Sequence, residues 1–359
     1  MKRETGSMKV TENTKKTENM RRAENLRNSA NLRKNGKAGV VLWGICLVLA
    51  CSIFFGGCGK PEAVNVRIGS LKGPTSMGIL YLMEKAEQEQ AASDYEFQMA
   101  TGADELLPLM AKGDLDIALV PANVAAALYQ KTNGGVAVID INTLGVLYIV
   151  TGTAEITEAA DLKGKTIYLT GKGTTPEASL KYILKQNGLA EGDCTLEFKS
   201  EAAEVAAVLA EDPSAVGLLP QPFVTAALMQ NTSLKVVLDL DEEWRKMQGE
   251  GNGMVTGVTV VRKEFLQQHE TAVKAFLEEH RESTISVNQD TATGAALAVK
   301  AGIVAKEPIA QKAIPECNIT CITGEEMKQT LEEYLTVLAE FNAELIGGAL
   351  PGEDFYYVE

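Results

Sequence analysis

Two loops combine hydroxyl, glycine and lysine residues at places where a ligand could bind. Residues 70–77 read SLKGPTSM and residues 170–175 read TGKGTT, and each loop follows a run that predicts a strand. Free backbone N–H groups at a helix start attract an anion or a polar oxygen, and serine and threonine hydroxyls can add donors. The same residues could also simply cap helices. Their matching positions in two halves of the chain favour a ligand cleft.

The sequence lacks the motifs of nucleotide binding and of common hydrolases. Residues 170–175 do not complete the pattern of a phosphate-binding loop, and no Gly-x-Ser-x-Gly motif occurs. The two histidines, His269 and His280, are eleven residues apart on one predicted helix, about three turns from each other. They cannot bind the same metal ion from that helix, and we expect both to be exposed to solvent. We predict no enzyme activity, no cofactor and no metal site.

An export signal precedes the rest of the chain. Residues 38–57 are uncharged and mostly apolar, follow a basic lead, and end in FGG before Cys58, a layout typical of a secretory signal. The small pair before Cys58 resembles the lipobox of bacterial lipoproteins, although Phe55 stands where leucine is usual. The resemblance implies lipidation of Cys58, whereas about 20 apolar residues could instead remain as a membrane-spanning anchor. In both cases the basic lead stays in the cytoplasm and the remainder of the chain is exported.

The exported part is acidic and large enough for two domains. The whole chain has a net charge of −14 and residues 1–57 contribute +7, so residues 58–359 carry −21. Because nucleic-acid phosphates need lysine and arginine partners, we expect no nucleic-acid partner. About 300 residues is near the size at which chains split into two domains.

Three cysteines remain after Cys58, namely Cys194, Cys317 and Cys321. An odd number is a poor framework for disulfides, and the spacing of Cys317 and Cys321 does not match a zinc ribbon. A disulfide or metal site formed by these two is an alternative, but we predict ordinary thiols.

Alternating strand and helix patterns predict an α/β fold of two similar units. Residues 64–68 alternate between apolar and polar, and residues 117–120 form the continuous apolar run of a strand that is buried on both faces. The order restarts with a strand at residues 165–169 and continues with strands at 195–198 and 216–219. We therefore predict two lobes, each built around a mostly parallel sheet.

Two extended runs rich in β-branched residues, 145–151 and 256–262, bracket the second unit. If the chain leaves the first lobe along one run and returns along the other, the two runs should lie together as hinge strands. The glycine-rich residues 249–253 would supply slack before the return. A long amphipathic helix is predicted over about residues 325–345, and we expect it to pack on the first lobe.

Five short segments, spread over nearly all of the exported part, carry a family signature. They are LKGPTSMG at 71–78, DIALVPAN at 116–123, DLKGKT at 161–166, LPQPF at 219–223 and IGGALPGEDFYY at 346–357. With these segments the chain resembles the solute-binding lipoproteins of ABC importers, in the group that includes sulfonate, nitrate and thiamine-precursor binders. The resemblance implies a type 2 periplasmic-binding-protein fold, with two α/β lobes that are joined by two hinge strands and close over a ligand.

The predicted elements and the resemblance together give five segments. They are a leader at residues 1–57, a tether at 58–63, a first lobe at 64–147, a second lobe at 148–256, and a mainly helical return to the first lobe at 257–359.

By position, the ligand-contacting loops of the family correspond to segments after four strands of this chain. Many relatives have an acidic residue where this chain has Gln221, and its loss favours a neutral or anionic polar solute over an amine. The resulting candidate ligand contacts are Lys72, Gly73, Thr75, Ser76, Met77, Asn123, Gly173, Thr174, Thr175, Gln221 and Phe223.

The resemblance implies that the protein captures a small-molecule ligand by lobe closure and delivers it to an ABC permease and its ATPase. We expect a monomer that a lipid anchor holds at the outer face of the cell membrane. One alternative is a sensory or adhesive surface lipoprotein, which would bind a protein partner. Another is an enzyme like those of thiamine-pyrimidine synthesis, whose cysteine-rich motif and reactive histidine we do not find in this sequence.

Overall fold

The computed structural model describes residues 64–248 and 253–358. The leader, Cys58 and the tether lie outside these residues, and so do residues 249–252 of the glycine-rich segment. Lipidation, export and the slack of that segment therefore stay predictions. No helix in the described part is long and apolar enough to cross a membrane.

The first sheet contains six strands: β1 (Asn65–Leu71), β2 (Asp94–Ala100), β3 (Ile117–Pro121), β4 (Val136–Leu144), β10 (Val255–Arg262) and β11 (Ile319–Ile322). Their order is β2-β1-β3-β10-β4-β11. β1 pairs in parallel with β2 and β3, while β10 runs antiparallel to β3 and β4, and β11 antiparallel to β4. Both faces of β3 are covered, because Ala118 and Val120 belong to one buried cluster and Ile117 and Leu119 to another.

The second sheet contains five strands: β5 (Leu147–Thr151), β6 (Thr166–Leu169), β7 (Thr195–Phe198), β8 (Val216–Pro220) and β9 (Lys235–Asp239). Their order is β7-β6-β8-β5-β9, with β6 parallel to β7 and β8, and β5 antiparallel to β8 and β9. This arrangement repeats the order β2-β1-β3-β10-β4 of the first sheet. The predicted α/β fold with two similar units is therefore confirmed.

Twelve α-helices accompany the strands in the described ranges. They are α1 (Leu80–Glu87), α2 (Ala103–Lys112), α3 (Ala122–Lys131), α4 (Thr175–Gln186), α5 (Ala202–Glu211), α6 (Phe223–Gln230), α7 (Leu240–Gln248), α8 (Lys263–Gln268), α9 (Glu270–Gln289), α10 (Thr291–Lys300), α11 (Glu307–Ala313) and α12 (Gly324–Asn342). A short 3₁₀ helix, Pro74–Ile79, follows β1, and another, Ala343–Ile346, follows α12.

The two β-branched runs that bracket the second unit lie in different sheets. β5 pairs with β8 and β9 in the second sheet, whereas β10 pairs with β3 and β4 in the first. The prediction that these runs lie together is therefore wrong. The chain enters the second sheet between Leu144 and Leu147 and returns to the first after α7. A β-branched run predicts a strand, but it does not identify the strand's neighbours.

The C-terminal helix α12 contacts elements of both sheets. The ring of Tyr334 lies 5.0 Å from that of Trp244 on α7, and its hydroxyl is 3.0 Å from the Ser179 hydroxyl on α4. Met327 of the same helix shares a buried cluster with Val258 of β10. The predicted packing on the first lobe is confirmed, and α12 also packs against helices of the second unit.

Candidate functional site

The loops that follow parallel strands of the two sheets meet one another. β1 and β3 lead into the 3₁₀ helix Pro74–Ile79 and α3, while β6 and β8 lead into α4 and α6. Ligands of α/β proteins bind beyond the carboxyl ends of the strands, because loops run there into helix N-termini. The predicted ligand contacts from the two halves of the chain lie at these positions.

Asn123 connects the loops of the first sheet directly to those of the second sheet. This buried side chain, at the start of α3, donates from Nδ2 to the Gly173 carbonyl at 3.0 Å and to the Leu345 carbonyl at 3.0 Å. Its Oδ1 accepts a hydrogen bond from Thr175 Oγ1 at 3.2 Å. The Thr175 hydroxyl is also 3.4 Å from the carbonyl oxygen of Thr256. Asn123 therefore bonds to two other predicted ligand contacts, Gly173 and Thr175.

The predicted residues of the first loop differ in what they contact. The Ser76 hydroxyl donates to the Leu71 carbonyl, and Lys72 is exposed while its backbone N–H donates to Ala100. Gly73 is buried, yet a Cβ at this position would meet nothing within 4 Å. Met77 is fully buried in an apolar cluster that includes Leu80, so it packs in the core and does not face the cleft.

The second loop is held by its own hydrogen bonds. The Thr174 hydroxyl donates to the Gly171 carbonyl at 2.7 Å, and the Gly173 N–H donates to Glu177 Oε2 at 2.6 Å. Glu177, in the first turn of α4, also pairs with Lys181 at 2.6 Å. Gly173 adopts a φ of +74°, in the region that favours glycine, and its carbonyl thereby reaches Asn123.

The last two predicted contacts lie at the start of α6. Gln221 is buried, and its Oε1 accepts hydrogen bonds from the Thr225 N–H at 3.2 Å and the Thr225 hydroxyl at 2.9 Å. The side chain thus caps the first turn of the helix. Phe223 is half-buried against an apolar cluster that includes Val224.

Two buried hydroxyls at the meeting point have no hydrogen-bond partner among the described residues. They are Oγ1 of Thr75, which is 5% exposed, and Oγ1 of Thr256, which is 6% exposed. Thr75 was a predicted contact, whereas Thr256 was read only as part of a β-branched run. Burying a hydroxyl without a hydrogen-bond partner costs free energy. Each of these two hydroxyls is therefore available to donate a hydrogen bond to a ligand atom.

A line of hydrogen-bonded polar side chains runs along the first sheet beneath the 3₁₀ helix Pro74–Ile79. Asn142 Nδ2 donates to Thr259 Oγ1 at 3.1 Å, and Thr259 Oγ1 donates to Asp140 Oδ1 at 2.9 Å. Asp140 Oδ2 lies 3.2 Å from His280 Nδ1 on α9. All four side chains are at most 1% exposed. Sequence analysis missed this line, although Asp140 and Asn142 stand out in the apolar run of β4.

The histidine predictions need correction. His280 is fully buried, and His269 lies at the junction between α8 and α9, so the two do not share one straight helix. Burial alone would lower the pKa of His280, but the adjacent Asp140 carboxylate outweighs burial and raises that pKa to about 10. The Asp140 carboxylate thus favours the protonated form of His280.

A separate cavity of about 200 Å³ lies between α9 and the start of α12. Its lining includes Lys274, Arg281 and Thr323, and it shares no residue with the predicted ligand loops. Arg281 pairs there with Glu278 at 3.0 Å and donates to the Thr323 hydroxyl at 3.1 Å. These contacts occupy the arginine, so we do not assign the ligand site to this cavity.

Solved structures share this fold. A crystal structure described as an ABC transporter from Parabacteroides distasonis has a TM-score of 0.66 and 21% identity, over 82% of this chain and 99% of that chain. The periplasmic aliphatic sulphonate-binding protein SsuA from Escherichia coli has a TM-score of 0.64 and 16% identity, over 82% and 91%. The periplasmic nitrate-binding protein NrtA from Synechocystis PCC 6803 has a TM-score of 0.61 and 14% identity, over 79% and 82%. The predicted periplasmic-binding-protein fold is therefore confirmed.

A family model settles the relationship that these low identities leave open. A search of curated proteins finds no match to the chain. Residues 81–277, more than half of the chain, match the model of the phosphonate periplasmic substrate-binding proteins of ABC transporters. Proteins of this kind bind solutes for transport, in agreement with the predicted role in import. The chain belongs to the family of phosphonate periplasmic substrate-binding proteins of ABC transporters.

Proposed function

We propose that this protein is an extracytoplasmic lipoprotein that captures a small solute bearing an oxyanion and presents it to an ABC permease. The observation that carries the proposal is the pair of buried, unpaired hydroxyls of Thr75 and Thr256 where the two halves meet. We propose lobe limits at residues 64–147, 148–256 and 257–359, with the ligand between the lobes.

The chemistry of the cleft supports an oxyanion as ligand. Hydroxyl and backbone N–H groups donate hydrogen bonds, and the N-termini of α3 and α4 add partial positive charge. The family description names phosphonate, and two proteins of the same fold are described as binding sulphonate and nitrate. These solutes share small size and negatively charged oxygens. Gln221 adds no negative charge that would repel them.

The proposed ligand set retains most of the residues predicted from the sequence. We leave out Met77, which packs in the core, and add Thr256, whose hydroxyl is unpaired. The set is Lys72, Gly73, Thr75, Ser76, Asn123, Gly173, Thr174, Thr175, Gln221, Phe223 and Thr256.

Binding works through closure, without chemical change to the ligand. Open and closed forms exchange, and a ligand that contacts both lobes favours the closed form in proportion to its differential affinity. The bonds of Asn123 to Gly173 and Thr175 stabilise that closed form. A permease and ATPase that recognise the closed form then receive loaded protein, as a monomer, in preference to unloaded protein.

A thermal-shift screen tests this function. Methylphosphonate, ethanesulfonate and nitrate are added to the full-length protein, with a quaternary ammonium compound as the control of opposite charge. A true ligand at 100 times its Kd adds about 2.7 kcal/mol to the free energy of unfolding. NMR of the mixture should recover the ligand unchanged. If no oxyanion shifts the melting midpoint, the proposed ligand class is wrong, and if the ligand is consumed, the protein is an enzyme.

Cys58 provides a separate test of the anchor. In the producing cell, Cys58→Ala should abolish the lipid that mass spectrometry detects on the protein, while the ligand-induced thermal shift stays unchanged. Retention of a lipid on the variant would show that Cys58 is not the lipidated residue. An unlipidated wild-type chain with residues 38–57 still present would favour a membrane-spanning anchor.

A further inference from the structure

Three side chains of the types that bind transition metals converge beneath the first loop. Asp140 comes from β4, His280 from α9 and Cys321 from β11, and one potential ligand atom of each lies within 4.8 Å of the other two. Asp140 and His280 are fully buried, while Cys321 is half-buried. The three residues are far apart in the sequence, so spacing could not reveal the cluster.

Neighbouring groups hold the two buried members in place. The Thr259 hydroxyl donates to Asp140 Oδ1 at 2.9 Å, which fixes the carboxylate and directs Oδ2 towards His280 Nδ1, 3.2 Å away. His280 Nε2 is buried and has no hydrogen-bond partner among the described residues. A hydrogen bond such as the one from Thr259 orients a metal ligand in proteins. Because Asp140 lies against Nδ1 while Nε2 packs against Gly78, Nδ1 is the ring nitrogen that can share a metal ion with this carboxylate.

We propose that Asp140, His280 and Cys321 form a binding site for one Zn²⁺ ion. Zinc accepts carboxylate oxygen, imidazole nitrogen and thiolate sulfur together, whereas Mg²⁺ and Ca²⁺ prefer oxygen ligands alone. On binding, the Cys321 thiol and the protonated His280 imidazole each release a proton to solvent, and the sulfur and one imidazole nitrogen form bonds to the metal. Three protein ligands leave one position for a water molecule, and the half-buried side of Cys321 provides the entry path.

The proposed zinc site stabilises the fold and is separate from the ligand cleft. Zinc at this point links β4, β11 and α9, which are neighbouring elements beneath the 3₁₀ helix Pro74–Ile79. A Cβ at Gly78 would lie 3.1 Å from His280 Nε2, so the loop packs directly on this histidine. The metal therefore stabilises the floor of the cleft and is not the transported cargo.

Zinc binding is tested on the full-length protein after removal of metal with EDTA. Added Zn²⁺ should raise the melting midpoint by about 5 °C at 100 times its Kd, while Mg²⁺ and Ca²⁺ should not. Co²⁺, used as a spectroscopic probe, should give the near-ultraviolet charge-transfer band of a thiolate–cobalt bond. The test variant is Cys321→Ser, because this residue is half-buried and the substitution leaves the Asp140–His280 pair intact.

The matched control is Cys194→Ser, whose half-buried thiol donates to the Leu162 carbonyl at 3.1 Å, in the second unit. We expect Cys321→Ser to lose the zinc shift and one equivalent of cobalt band, and Cys194→Ser to retain both. Asp140→Asn, if folded by circular dichroism, should weaken zinc binding at least tenfold. An unchanged cobalt band and zinc shift in Cys321→Ser would overturn the proposal, and so would a wild-type protein that shows neither.

Discussion

At the scale of single residues, Gly257 is the point at which the first loop rests on the first sheet. A Cβ built on Gly257 would lie 2.5 Å from Thr75 Cγ2 and 2.6 Å from Asn142 Oδ1. Both neighbours are buried, and Asn142 is part of the polar line that ends at His280. Only glycine therefore lets Thr75 take its place beside β10.

Gly257→Ala should destabilise the protein and displace Thr75. Overpacking a well-packed site costs about 1–3 kcal/mol, and we expect a loss within that range together with weaker ligand binding. Urea denaturation and ligand titration measure the two effects. Gly102→Ala is the control, because the Cβ would meet only the exposed side chain of Asp104 and should cost less than about 1 kcal/mol. Equal stability of Gly257→Ala and wild type would contradict this packing.

The sequence revealed some site residues and concealed others, for identifiable reasons. Asn123 and Thr175 were predicted because they stand at helix starts after strands, and the structure places them in contact. The burial of His280 was not predicted, because it depends on pairing with Asp140, which lies in a strand far away in the sequence. The packing of Met77 in an apolar cluster was not predicted, because a loop rich in hydroxyl residues gave no sign that one of its members turns into the core.

At the scale of elements, Asp116 ties three neighbouring strands together. Its carboxylate accepts hydrogen bonds from Arg67 on β1, at 2.7 and 2.9 Å, and from Arg262 at the end of β10, at 2.8 Å. Burial alone would raise the pKa of Asp116, but the hydrogen bonds from the two arginines outweigh burial and hold that pKa below its ordinary value. The charged form is thus favoured by folding.

Asp116→Asn should destabilise the protein at neutral pH. Breaking a buried pair costs about 3 kcal/mol, at the lower end of the usual range because Arg67 is 36% exposed. Since the folded pKa is depressed, the stabilisation is complete above the unfolded pKa of about 3.9 and is lost as pH falls through the folded value. Urea midpoints of wild type and variant should therefore begin to approach each other only below about pH 4 and converge once pH falls below the folded pKa.

Asp114→Asn is the matched control, because Asp114 is exposed two residues away. It should change stability by less than about 0.5 kcal/mol. A stability difference between wild type and Asp116→Asn that persists unchanged into acid would contradict the assigned role of the charge.

The positions of helices and strands along the chain were far more predictable than which strands pair and which helices pack together. Apolar runs at β3 and β8 gave these strands correctly, because a covered parallel strand has no polar face. The same patterns did not show that β5 belongs to the second sheet and β10 to the first, because strand pairing depends on the topology of the whole chain. For α12, periodicity predicted the helix, but the ring contacts of Tyr334 with Trp244 join elements about 90 residues apart and leave no local pattern.

At the scale of the whole molecule, a small set of hydrogen bonds joins the ligand loops of the two halves. Asn123 supplies hydrogen bonds to Gly173 and Thr175, and Thr175 reaches Thr256. A few bonds of about 1 kcal/mol each can be broken and reformed, so ligand contacts can shift the balance between open and closed forms.

Asn123→Ala should shift the unliganded protein towards the open form. The substitution removes the bonds to Gly173, Leu345 and Thr175, and small-angle X-ray scattering should record a larger radius of gyration than for wild type. Asn187→Ala is the control, because among the described residues that side-chain amide bonds only to the Ile183 carbonyl at the end of α4. Equal radii for Asn123→Ala and wild type, with and without oxyanion, would show that this contact does not govern closure.

Isothermal titration of the best oxyanion from the screen tests the central claim most directly. Thr75→Val and Thr256→Val each remove one buried hydroxyl donor at nearly constant volume, and a hydrogen bond to a charged group contributes about 1.5–3 kcal/mol. We predict that each variant binds roughly 10- to 100-fold more weakly. Thr132→Val removes a hydroxyl that donates to the Leu128 carbonyl at the far end of α3, and it should bind like wild type. Wild-type affinity in both Thr75→Val and Thr256→Val would contradict the proposed site.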